Sequence, residues 1–100
     1  MTVKKRQLID LNRAELDDYR SMMPSDVRDV VEAMRLRDPL SDTLMKLARA
    51  SWSERLAECA AEAQAYAFTA WHYGEISESQ WRLVRDHIAS CREDRRAEIE

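Results

Sequence analysis

The chain has 100 residues, 45% of them hydrophobic and 35% charged, and a formal net charge of −3. That is one ordinary domain's worth of chain, with apolar material for one core and little to spare, so a single domain is the expectation. The acid excess gives no global attraction to nucleic acid or anionic lipid, although a local basic face remains open.

Composition also sets the fold class. One glycine, two prolines and few β-branched residues, without an Asn-Gly or Asp-Gly pair, predict an all-α fold. The expected architecture is a small bundle of about five helices, residues 1–100 forming one helical domain that ends in an antiparallel helical hairpin over 52–97. Residues 1–11 form a basic N-terminal arm through Lys4-Lys5-Arg6. The short apolar run Leu8 to Leu11 is interrupted by Asp10 and is no signal-peptide core, so a cytoplasmic location is the expectation. Thirteen arginines against three lysines fit a GC-rich bacterial or phage genome.

In chain order, Asn12 and Glu15 offer a capping box for a first helix over Asn12–Met23, with Leu16, Tyr19 and Met23 on one face. Pro24 ends it, and Ser25 is placed to cap a second helix whose Val27, Val30, Val31 and Met34 recur at helical spacing up to about Arg37. Asp38-Pro39 reads as an N-cap followed by proline at the first helical position, opening a third helix with Leu40, Leu44 and Leu47. An unbroken helix from there to Tyr73 would be about 50 Å long, against a radius of gyration near 13 Å for a compact chain of this length. Leu47 and Leu56 would also fall on opposite faces of it. A boundary near Ala50–Ser51, with Ser51 and Glu54 as a capping box, removes both conflicts; a continuous helix serving a dimer is the alternative.

Between Glu62 and Glu75 the chain carries no formal charge. Its apolar residues fall on every helical face, which predicts a central helix covered on several sides. The run is too short to span a bilayer, which needs about twenty apolar residues. From Leu56 a three-four spacing runs through Cys59, Ala63, Tyr66, Ala70 and Tyr73. Gly74 then closes the helix, Ser77 and Gln80 cap the next, and Trp81, Val84, Ile88 and Cys91 continue the seam.

Cys59 and Cys91 fall at one level of this hairpin, where two reduced core thiols are the expectation and a disulfide the alternative, since helix spacing usually exceeds disulfide reach. His87 and Cys91 lie four apart, but a fourth ligand is missing, and neither a metal nor another cofactor is expected. No nucleophile, carboxylate or histidine pattern marks a catalytic centre, so no enzyme activity is expected.

Three groups remain as candidate partner contacts. Arg82, Arg85, Arg92 and Arg96 follow one flank of the last helix; they suit phosphate or an acidic surface, or else form a solvated face balanced by neighbouring carboxylates. Glu15, Asp17 and Asp18 form an acidic knot, explained equally by the helix dipole. Phe68, Trp71 and Trp81 gather at the hairpin tip, either covered by the N-terminal helices or exposed as an anchor for a partner; Trp52 raises the same question.

Together these features point to a non-enzymatic protein-interaction module. Phage-encoded inhibitors of host defence or regulation, anti-CRISPR proteins among them, are similar in size and character, a likeness of type rather than of motif. The alternatives are a nucleic-acid-associated regulator working through the arginine flank and a self-associating structural protein. A protein partner is expected, and no membrane.

Overall fold

Five helices account for the described chain, residues 13–100 of a computed structural model: α1 (13–21), α2 (Ser25–Glu32), α3 (Arg37–Ala48), α4 (Ser53–His72) and α5 (Glu78–Ile99). No strand occurs among the described residues, and no helix is long and apolar enough to cross a membrane. The all-α bundle is as expected; the basic arm and the Asn12 cap lie outside the described residues.

Pro24 separates the first two helices, but Ser25 is not the cap. Pro24 itself occupies the N-cap position without any side-chain capping bond. At the other end α2 stops at Glu32, short of the Arg37 expected from its apolar spacing. Proline explains the early stop. In one continuous helix Pro39 would sit in the interior, its ring against the carbonyl of Arg35. The chain instead tightens, with the Ala33 and Met34 N–H groups donating to the Val30 and Val31 carbonyls at 3.2 and 3.0 Å. This carries Met34 into the core and restarts the helix at Arg37. Pro39 then falls in the first turn, where an N–H has no helical partner to lose. Leu36, not Asp38, holds the N-cap position of α3.

The break between α3 and α4 lies where the phase conflict placed it. Leu47 and Leu56 are both fully buried, which one straight helix would forbid. Its chemistry differs from the expected box: Trp52, extended at φ −145° and ψ 158°, is the N-cap residue, and no side chain caps α4.

The junction of α4 and α5 follows the sequence closely. Gly74 has φ +75°, the left-handed region that favours glycine. Its N–H donates to the Trp71 carbonyl at 3.0 Å and that of Glu75 to Ala70 at 2.9 Å, closing the last turn of α4. The Ser77 hydroxyl accepts from the Gln80 N–H at 3.1 Å while the Gln80 side chain accepts from the Ser77 N–H at 2.8 Å, a reciprocal capping box. Ser77→Ala should cost about 1 kcal/mol and lower Tm by about 4–8 °C. A thermal melt checks this, and an unchanged midpoint would show the box to be energetically idle.

Along the hairpin Trp71 meets Trp81, Gln64 donates to the Arg85 carbonyl at 3.1 Å, and Ala57, Ala60 and Ala61 lie opposite Ile88, Ala89 and Arg92. One set of numbers rises as the other falls, the pattern of an antiparallel pair. The buried face of α4 consists of Leu56, Cys59, Ala60, Ala63, Ala67 and Ala70, and α5 answers with Val84 and Ile88. Tyr66 is half-buried and packs against the edge of the core, whereas Tyr73 is exposed and leaves the seam expected for it. Small residues on α4 admit the larger side chains of α5.

Helix α3 packs on both α4 and α5, and α2 packs on α5. Helix α4 is therefore covered by α3 and α5 rather than all round, and Ala61, Ala65, Phe68 and His72 remain exposed on its outer face. Two arginines tie the outer elements down. Arg20 is buried beneath α1, and Arg95 donates from α5 to the Ala50 carbonyl at 2.9 Å, fixing the far end of α5 to the α3–α4 junction.

Candidate interaction surface

The acidic knot is largely consumed within the molecule. Glu15 pairs with Arg49 at 3.0 Å, and Asp17 pairs with Arg20. The Arg20 side chain is only 6% exposed and also reaches Asp38 at 2.8 Å and the Ser41 hydroxyl at 3.1 Å. Asp18 remains exposed, and its backbone carbonyl accepts from Ser21 at 2.6 Å. One cation thus ties α1 to the start of α3. Sequence alone gave a single hint of this role: Arg20 lies on the inward stripe between Leu16 and Met23.

On the last helix the basic flank is locally balanced. Arg82 pairs with Glu78 at 3.2 Å, Arg85 with Asp86 at 3.1 Å, and Arg96 with Glu93 and Glu100 at 3.7 and 3.8 Å. Arg92 is exposed without an ion pair among the described residues. Exposed pairs of this kind add little stability and leave little net field for phosphate.

The aromatic residues behave differently. Trp71 and Trp81 stack across the hairpin, with centroids 4.3 Å apart and planes 11° from parallel. Phe68 stands edge-on to both, at 5.6 Å from Trp71 and 6.4 Å from Trp81. His72 stacks on Phe68 at 5.9 Å, and Tyr73 stands perpendicular to His72 at 5.2 Å. At the α5 edge the Arg85 guanidinium lies over Trp81, 5.1 Å from the ring centroid. Five rings form one continuous array across the hairpin tip.

The N-terminal helices do not cover it. Phe68 is 49% exposed and Tyr73 75%, while the two tryptophans are half-buried and packed against the core. The array continues into a groove of about 560 Å³ lined by Thr69 of α4, Tyr73 just past its end, Arg35 and Leu36 of the α2–α3 turn, and Glu75. The Glu75 carboxylate accepts from the Arg35 N–H at 2.8 Å and braces that turn against the hairpin. His72 and Tyr73 were not singled out as contacts from sequence. The i, i+4 spacing of Phe68 and His72 was the available signal, and Tyr73 was obscured by its agreement with the seam. Trp52 is also exposed, at 59%, but sits at the opposite end of α4.

Both cysteines are free, Cys59 buried and Cys91 half-buried. Cys91 Sγ lies 3.4 Å from His87 Nε2. Burial pushes the Cys91 thiol up and the His87 imidazole down, the latter against an opposing pull from Asp26. No cluster of three or more potential metal ligands occurs among the described residues. Tyr19, beside Cys91 in a shallow groove, is pushed up to about 12, chiefly by burial.

A pH dependence follows from His87. A depressed folded pKa means the unfolded chain binds the proton more readily, so stability is full above the unfolded value near 6.5 and falls as pH drops toward and through the lower folded value. Tm of the wild type should therefore decline from pH 7 to pH 5, and His87→Gln should flatten that decline. Identical slopes in the two proteins would exclude His87 as its cause.

No family model, curated protein or solved structure matches the chain.

Proposed function

We propose that the protein is a non-enzymatic interaction module that docks on a protein partner through the aromatic array Phe68, Trp71, His72, Tyr73 and Trp81. The supporting observation is the exposure of Phe68 and Tyr73 within one continuous set of rings. A single exposed aromatic is unremarkable on a protein surface, whereas clustered aromatics are the side chains that carry most binding energy at interfaces. The half-buried tryptophans hold the array on the core, so little side-chain freedom is lost when a partner covers it. The mode of action that suits this surface is inhibition by occupancy: a small protein covering a functional face of a larger complex, such as one of host defence or regulation.

The test is affinity capture from a GC-rich bacterial lysate after nuclease treatment, with the wild type beside a Phe68→Ala/Tyr73→Ala variant. A specific protein held by the wild type and lost from the variant is the expected outcome. Equal retention by both would remove the array from the interface, and loss of all capture with nuclease would transfer the role to the arginine flank.

A further inference from the structure

Helix α4 turns Ala57, Ala61, Ala65, Phe68 and His72 outward in one line at three- and four-residue spacing, and no described helix packs over that line. None of the five is Asp, Glu, Lys or Arg, in a chain where 35% of residues are. The line is also graded, small in its first half and bulky in its second. Its halves are complements about the midpoint between Gln64 and Ala65, from which Ala61 and Phe68 lie equally far, as do Ala57 and His72. A second α4 laid antiparallel about a twofold axis at that midpoint therefore sets each Phe68 opposite an Ala61 and each His72 opposite an Ala57.

The opposing surface has room for the ring. Beside Ala61 a groove of about 250 Å³ lies between the two hairpin helices, lined by Ala57, Ala61 and Gln64 of α4 and by Ile88, Ala89 and Arg92 of α5. Phe68, 49% exposed, stands on the α5 side of the line, 6.4 Å from Trp81. The twofold keeps both α5 helices on one side, so it carries Phe68 of one copy over the groove of the other. Charge agrees with this pairing. His72 of one copy falls between Glu54 and Glu58 of the other, and its ring N–H can donate to either carboxylate. Both glutamates are exposed; Glu58 meets Arg55 at 3.4 Å, and Glu54 has no ion pair among the described residues. A face two helices wide and about 30 Å long gives about 600 Å² on each copy, so a pair buries about 1,200 Å², the lower edge for a stable interface.

We propose that the outer face of α4 and α5 is the twofold interface of a homodimer, with Phe68 of each copy seated in the alanine-lined groove of the other. The area makes this a reversible pairing, with a dissociation constant on the order of 10 μM. It does not depend on the partner proposed above. Where both hold, pairing covers Phe68 and withdraws it from that partner, so the two bound forms exclude each other.

The test is sedimentation equilibrium of the full chain from about 1 μM to about 1 mM, a range that brackets the expected dissociation constant. The mass should rise from that of one chain toward that of two. Phe68→Ala should weaken the pairing at least about tenfold. Ala65→Glu, which sets two like charges together at the axis, should keep the chain monomeric without loss of helix by circular dichroism, since the position is exposed. The register is read from cross-links. Ala57→Cys and His72→Cys chains, mixed and oxidised, should join to each other above the background of the wild type's own Cys59 and Cys91. Like chains should not join, their introduced cysteines lying about 22 Å apart along the helix. A monomer at every concentration, a dimer indifferent to Ala65→Glu, or like-with-like cross-linking equal to the mixed product would overturn the proposal.

Discussion

Arg20→Ala should destabilise the protein by about 3 kcal/mol, visible as a Tm lower by about 12–24 °C. The arginine is a single buried cation shared by Asp17 and Asp38 and bonded to the Ser41 hydroxyl, so its removal breaks two ion pairs and leaves a void under α1. Both carboxylates retain substantial exposure, at 69% and 45%, and regain water when released, which holds the loss near the lower end of the range for a broken buried pair. Ser41 keeps a partner through its 2.6 Å bond to the Arg37 carbonyl. Arg20→Met, which refills the volume but not the charge, should recover part of the loss and so separate packing from electrostatics. A change within about 0.5 kcal/mol for Arg20→Ala would mean that the site contributes no more than an ordinary surface position.

Phe68→Ala/Tyr73→Ala should weaken partner binding by about a hundredfold while leaving Tm almost unchanged. Two anchors at about 1–2 kcal/mol each reach that factor, since 1.4 kcal/mol is tenfold. The fold should tolerate both changes because Phe68 is half exposed and Tyr73 more so, and neither belongs to the buried face of α4. The dissociation constant of the purified complex, read beside a thermal melt, measures the two effects together. Unchanged affinity would place the interface elsewhere; a collapsed melting point would show that the rings act through the fold. Trp81→Ala is a poorer choice, because it strips the stacked partner of Trp71 and exposes the core behind it.

Much of the fold was legible because local chemistry decided it. Gly74 with the Ser77 and Gln80 box fixed the hairpin turn, and the clash of phase between Leu47 and Leu56 required the break after α3. Caps were less legible. Ser25, Asp38 and Ser51 each had a suitable side chain, yet Pro24, Leu36 and Trp52 hold those positions, because the path of the chain into the core selected the boundary. The fate of the aromatic tip was the least accessible. It turns on where α2 lies, and α2 packs on α5 after stopping early ahead of Pro39, which leaves Phe68 and Tyr73 open. Arg20 was hidden for a related reason: a long charged side chain reads as surface until the elements carrying Asp38 and Ser41 close over it.

The most direct measurement is nuclease-treated affinity capture with three baits in parallel: the wild type, Phe68→Ala/Tyr73→Ala, and an arginine-flank variant carrying Arg82→Glu and Arg92→Glu. Docking through the aromatic array predicts one protein held equally by the wild type and the flank variant and lost from the aromatic variant. The same protein retained by the aromatic variant and lost from the flank variant would contradict it.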